Sequence, residues 1–252
     1  MKKIVNSLQD KKKNGQKAVA ILIDPDKFDI HSIGRLLVEA TNGHIDYFFV
    51  GGSLISNYIF EEVINCIKNS CDVPVIIFPG NYLHVSPEAD AIMFLSLISG
   101  RNPDLLIGQH VIAAPVIKKS GIEVIPTGYM LIDGGKPTTV SYMSTTQPIP
   151  ADKPEIAQCT AMAGEMLGLG MIYLDAGSGA MNPVSKEMVS SVAKNINIPL
   201  IVGGGLNSLS KIDNAISAGA DMVVIGNGIE KNPDLMTGVS EYFQKYNALD
   251  VD

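Results

Sequence analysis

The chain has 252 residues, of which 46% are hydrophobic and 18% charged, and its formal net charge is -7. That length suits one (β/α)₈ barrel with a large core, and the apolar content excludes a disordered chain. The acidic balance excludes a general nucleic-acid-binding face, so an anionic ligand must be held by backbone dipoles, a few cations or a metal.

Residues 1–16 read as a polar, lysine-rich helix ahead of the barrel. Strand 1 is Ala18–Ile23, apolar throughout as a doubly covered parallel strand should be, and it ends at Asp24, Pro25, Asp26 and Lys27. A helix follows over about Ile30–Ala40, with Ile30, Ile33, Leu37 and Ala40 at helical spacing. Strand 2, Tyr47–Val50, ends in Gly51, Gly52 and Ser53, and the next helix runs over about Leu54–Lys68. Strand 3 is Val75–Phe78 and strand 4 is Ala91–Leu95 with a polar tail. The interval between them, 79–90, is too short for a covering helix with two loops, and Pro79, Gly80 and Pro87 interrupt it. The third helix is therefore expected to be missing or replaced by an extended segment, which leaves a groove suited to a long apolar ligand.

Asn102, Pro103 and Asp104 open the next helix, which runs towards Lys119 with a kink at Pro115 and a stop at Gly121. Strand 5 is Glu123–Pro126, with an extension through Tyr129–Ile132 left open. A turn from Asp133 leads to an extra extended piece ending at Val140, and 141–154 form an irregular loop of active-site-lid length. A helix at Glu155–Leu167 precedes strand 6, Met171–Leu174; Asn182 and Pro183 start the next helix. Strand 7 is Pro199–Val202, followed by a helix at Ser208–Ala218. Strand 8 is Met222–Ile225, and Asn232, Pro233 and Asp234 open the last helix. One barrel domain over 1–252 is the expectation.

Three consecutive strand ends in this last third are rich in glycine: Tyr173 to Gly179, Ile201 to Gly205 and Val223 to Gly228. Glycine lets amides crowd around a phosphate, the following helix N-terminus favours its charge, and the last strands of such a barrel usually carry the phosphate site. Ordinary tight turns are the bland reading. Asp175 would hang over that pocket and accept a proton from a substrate hydroxyl, or else satisfy loop amides. Asp24 with Ser53 supplies oxygen ligands for magnesium, unless Asp24 merely caps the next turn. Tyr173 contacts substrate or fills a barrel layer, the methionines are core filler, and Lys27 and Arg101 are diphosphate partners or solvated cations. Cys66, Cys71 and Cys159 lack paired spacing and read as reduced, partly buried thiols, and the four histidines lack zinc-ligand spacing. Neither a secretory signal nor a membrane-length apolar run is legible, so a cytoplasmic protein with at most peripheral membrane contact is expected.

The segments Leu22–Lys27, Val50–Ser53, Tyr173–Gly179, Val202–Gly205 and Ile225–Asn227 resemble the geranylgeranylglyceryl phosphate synthase family, including its bacterial heptaprenylglyceryl members. The likeness runs in order over nearly the whole chain. It implies a modified (β/α)₈ barrel without its third helix and a magnesium-dependent prenyltransferase of lipid biosynthesis, in a family whose barrels commonly pair as homo-oligomers. By motif, Asp24 and Ser53 would hold Mg2+. Tyr173, Leu174, Asp175, Ala176, Gly177, Ser178 and Gly179, with Gly204, Gly205, Gly226 and Asn227, would hold sn-glycerol 1-phosphate; the second substrate would be a prenyl diphosphate. The family pattern has glutamate where this chain has Asp175, one methylene shorter. The residues alone also admit a phosphate-binding barrel isomerase or lyase, or a non-catalytic lipid or phosphometabolite binding protein.

Overall fold

The computed structural model describes residues 3–28, 30–39, 45–56, 59–226, 228–229, 232 and 234–248. Eight parallel strands close into a barrel in chain order: β1 (Ala18–Ile23), β2 (Tyr47–Gly51), β3 (Val75–Phe78), β4 (Ala91–Leu97), β5 (Glu123–Leu131), β6 (Met171–Asp175), β7 (Leu200–Gly203) and β8 (Met222–Ile225). The helices are α1 (Lys3–Lys13), α2 (Ile30–Glu39), α3 (Phe60–Lys68), α4 (Gln109–Ser120), α5 (Thr139–Met143), α6 (Pro154–Met166), α7 (Lys186–Ala193), α8 (Leu209–Ser217) and α9 (Asp234–Ala248). Between β3 and β4, residues 79–90 form turns and no helix, as their length and prolines require.

Strand alternation divides the apolar residues into two layers. Tyr47, Phe49, Phe78, Tyr129, Tyr173 and Val224 fill the barrel interior. Their neighbours Phe48, Val50, Ile77, Leu174 and Val223 pack outward in the cluster that includes the helices. One mouth is closed. Ile4, Val5 and Leu8 of α1 insert into the inner layer, and the Glu123 carboxylate accepts the amides of Ile4 and Val5, both at 2.9 Å. Those two amides belong to the first turn, which has no intrahelical acceptor, so the carboxylate both caps and anchors α1. Among the described residues, the mouth at the carboxyl ends of the strands remains for ligands.

Several boundaries depart from the sequence expectations for tertiary reasons. The helix expected from Leu54 begins at Phe60, because the Ser56 amide and hydroxyl both bind the Asp26 carboxylate at 2.8 Å and hold that stretch as a loop. Asp104–Gly108 is a π-helical turn ahead of α4, and Gly121 ends α4 at φ 76° as expected. The expected extended piece before Val140 is instead α5, opened by a reciprocal Thr138–Ser141 capping box. The loop after α5 is pinned rather than loose: Asn102 Nδ2 donates to the Ser144 carbonyl at 3.2 Å, and Ile149 exchanges backbone bonds with Leu131 and Asp133, each at 2.9 Å. The helix expected at Asn182 and Pro183 begins at Lys186, capped by Ser185. The Met181 and Asn182 amides are both spent on the Gly134 carbonyl at 3.0 Å. Pro126 sits inside β5 because its face towards β6 lies one residue before that ladder starts, at Thr127 opposite Met171. All three cysteines are free, and Cys159 is exposed rather than partly buried. No helix among the described residues is long and apolar enough to cross a membrane.

Candidate active site

Parallel closure brings Asp24, Ser53, Asp175 and the glycine turns to one rim, because each stands at or just past the carboxyl end of its strand. The turns crowd one another. A Cβ on Gly204 would lie 2.6 Å from the Gly177 amide nitrogen, 2.7 Å from that of Ala176 and 2.7 Å from Asp175 Oδ1. One on Gly228 would lie 2.8 Å from the Leu206 carbonyl. Gly177, Gly179, Gly204 and Gly205 all adopt positive φ, between 70° and 88°, which side chains other than glycine rarely tolerate. The amides of Gly204 and Gly205 meet no acceptor among the described residues, so they remain available to an anion. Asn227 lies outside the described residues.

Asp175 is buried beneath these turns. Its Oδ2 accepts the Tyr129 hydroxyl at 2.5 Å and its Oδ1 accepts the Gly177 amide at 2.7 Å. Burial raises its pKa and outweighs the two hydrogen bonds, which lower it. Burial, reinforced by the adjacent carboxylate, holds the Tyr129 and Tyr173 phenols well above their usual range, so both stay protonated. Tyr173 fills the inner layer, its ring 5.5 Å from that of Tyr129 and 5.6 Å from that of Phe78. Its hydroxyl lies under the β7 turn, where a Cβ on Gly203 would come within 2.3 Å of it. Leu174 points into the outer layer, so only its backbone faces the rim side.

Tyr129 was not singled out by the sequence, where it is one apolar letter in a strand. The register makes it visible: Tyr129 pairs with Tyr173 and Leu131 with Asp175, so the phenol stands one step below the acid on the same inner face.

Next round the rim, on β1 beside β8, Asp24 caps the 3₁₀ turn Pro25–Lys27, Oδ1 accepting the Asp26 amide at 3.1 Å, while Oδ2 pairs with Lys27 at 2.9 Å. The capping role leaves room for a ligand role, because an ionised carboxylate has about four lone-pair directions. A Cβ on Gly52, next to Ser53, would lie 3.7 Å from Asp24 Oδ1, so carboxylate and hydroxyl stand on adjoining strand ends. One carboxylate plus one hydroxyl, both hard oxygen donors, is a set that suits magnesium with substrate phosphate completing the shell. No cluster of three His, Cys, Asp or Glu side chains exists among the described residues. Arg101 spends Nη1 on the Gly100 carbonyl at 2.7 Å.

From Ser53 and Tyr129 a cavity of about 250 Å³ runs along the uncovered β3–β4 face. Ile92, Phe94, Leu105, Ala113 and Ile117 supply its apolar walls. It occupies the place of the missing helix.

A family model described as the PcrB family matches residues 12–242. A geranylgeranylglyceryl phosphate synthase of Spirosoma linguale is 55% identical over 95% of this chain and 96% of its own. The synthase of that name from Korarchaeum cryptofilum is 41% identical over 93% and 97%. The crystal structure of (S)-3-O-geranylgeranylglyceryl phosphate synthase from Thermoplasma acidophilum, in complex with its substrate sn-glycerol-1-phosphate, superposes with a TM-score of 0.90 at 32% identity. That match covers 98% of this chain and all of the other. On length and identity alike, the chain belongs to the PcrB family, among its geranylgeranylglyceryl phosphate synthases.

Proposed function

We propose that the chain joins the C3 hydroxyl of sn-glycerol 1-phosphate to a long-chain prenyl diphosphate, forming a prenylglyceryl phosphate ether and releasing diphosphate. One observation carries this reading. The Tyr129–Asp175 pair stands where the apolar groove meets the glycine turns: Tyr129 lines the groove, and Asp175 is bonded to the amide of Gly177. An isomerase of small phosphates has no use for that groove.

Gly204, Gly205, Gly226 and the turn through Gly179 hold the phosphate on backbone amides and aim the free hydroxyl at the groove. The prenyl tail lies along the wall formed by Phe94, Ala113 and Ile117, which excludes water from the allylic centre. Asp24 and Ser53 would hold magnesium, which supplies charge compensation for the leaving diphosphate when bound. Lys27, already paired with Asp24, adds a second positive charge there. The hydroxyl oxygen bonds to the allylic carbon as the carbon–diphosphate bond breaks, and its proton passes to Asp175. A carboxylate whose pKa burial has raised is the stronger proton acceptor. Tyr129 keeps the acid oriented and donates to it throughout.

Incubation with sn-glycerol 1-phosphate, magnesium and a ladder of prenyl diphosphates, followed by mass detection, tests the reading. An ether product with the longer diphosphates is expected; no product with any rung overturns it.

A further inference from the structure

We infer that His84 is a positioning residue for the diphosphate end of the site, acting through the Gly80 turn. This rests on the reading that Asp24 and Ser53 receive the diphosphate. His84 lies in the segment that replaces the third helix, and its Nδ1 accepts the Gly80 amide at 3.1 Å. The Gly80 amide fixes Nδ1 as a bare acceptor, so the neutral ring carries its proton on Nε2. Asn81 Nδ2, 3.3 Å from Nε2, is itself a donor because its Oδ1 accepts the Leu83 amide, so that approach is a contact and not a hydrogen bond.

The turn is in turn pressed against the second strand end. A Cβ on Gly80 would lie 2.2 Å from the Gly52 carbonyl and 3.1 Å from the Ser53 carbonyl carbon. One on Gly51, at φ 151°, would lie 1.9 Å from the Phe78 carbonyl. The two strand ends press backbone on backbone, and among the described residues the Gly80 amide has no acceptor other than His84 Nδ1. Asn81 closes the rest of the turn, its carbonyl accepting the His84 amide at 3.3 Å and its Oδ1 the Leu83 amide at 2.8 Å, so the ring bond is what ties Gly80 itself to that turn. Withdrawing the acceptor lets Gly80 shift and takes Ser53 with it. The ring itself is fixed by Phe60 of α3, stacked at 5.5 Å and 27°. Asp26 is the charged group that acts on it. Burial lowers the pKa of His84 against the pull of that carboxylate, which favours the neutral ring this bond needs.

Two variants separate the acceptor from the packing. His84→Phe keeps a ring over Phe60 and removes the acceptor, whereas His84→Asn keeps an acceptor near Nδ1 and removes the ring. Steady-state kinetics with both substrates is paired with calorimetric binding of inorganic diphosphate in magnesium. His84→Phe is expected to raise KM for the prenyl diphosphate and Kd for diphosphate roughly tenfold, the weight of one hydrogen bond. KM for glycerol 1-phosphate should stay within about twofold, and His84→Asn should recover most of the loss. Unchanged diphosphate binding in His84→Phe, or equal losses for both substrates in both variants, overturns the inference. Failure of the unaltered protein to turn over any prenyl diphosphate overturns the reading beneath it instead, and the two results cannot be confused.

Discussion

Replacing Asp175 with Asn isolates the charge of the buried acid from its shape. Asn Oδ1 can accept the Gly177 amide as Asp175 does, and its NH₂ can donate to the Tyr129 oxygen, so the local geometry survives. What disappears is the proton acceptor. A positioned general base contributes about 10²–10⁴ in rate, or about 3–5.5 kcal/mol of barrier, so kcat should fall by that factor with KM for both substrates nearly unchanged. Stability should move the other way. The folded-state pKa of Asp175 is raised by burial, so the carboxyl favours folding fully only below its unfolded value, and that contribution is lost as pH climbs through the folded one. Near neutral pH the native acid is a cost that Asn does not carry. Thermal melts from pH 4 to pH 8 should therefore show the variant gaining on the parent as pH rises, with the gap closing in acid. Single-turnover formation of labelled ether reports the chemical step. A variant that retains activity within tenfold, or that melts lower than the parent throughout, would refute the reasoning.

Tyr129→Phe removes a donor that lowers the Asp175 pKa, so the acid limb of the kcat/KM profile should move to higher pH, and kcat should drop about 10–100-fold for a hydrogen bond to a charged group; a limb that stays put or moves down refutes it. Asp24→Asn, or a chelator, should raise KM for the prenyl diphosphate at least tenfold while leaving glycerol 1-phosphate nearly untouched, and full turnover without a divalent ion would count against the magnesium assignment. Ala113→Phe places a ring inside the groove and should block long diphosphates far more than dimethylallyl diphosphate, read from a chain-length series. Gly204→Ala should cost about 3 kcal/mol, since φ is 81° and its Cβ would meet fixed backbone atoms, and should weaken glycerol phosphate binding. Gly179→Ala, at φ 74° with no atom within 4 Å, should cost only about 1 kcal/mol, so equal melting shifts would refute the crowding account.

The bounds of β1, β3 and β8 could be read directly, because each is an apolar run closed by Asp, Pro or Gly. The absent third helix was legible for the same local reason, a short interval with two prolines and a glycine. Errors cluster where a distant residue decides. Leu54 and Ile55 continue a helical pattern, but Asp26, thirty positions away from Ser56, holds that stretch open. Asn182 and Pro183 make a sound start signal, but Gly134 spends the amides and Ser185 takes over the cap. At the site, the glycine turns and Asp175 carry their chemistry in the local sequence. Tyr129 and His84 do not, because each becomes functional only through a partner supplied by register or by a turn.

Going round the barrel explains why a chain of net charge -7 can run this reaction. On the proposed reading, β7 and β8 carry the glycerol phosphate, and β8 is hydrogen-bonded to β1, whose end carries Asp24. The two anionic groups therefore meet on neighbouring strands, where their repulsion would be strong in a partly desolvated mouth. Amide dipoles answer the first anion without adding net charge. The second needs a mobile cation, because Lys27 is already shared with Asp24. Placing the diphosphate on β1 and β2 also puts its leaving carbon beside the β3–β4 face, the one stretch without a covering helix among the described residues. On that reading the tail leaves the site along this face, so the missing helix and the position of the second anion are one design: a helix at 79–90 would abolish use of long diphosphates while sparing glycerol phosphate binding on the β7 and β8 turns.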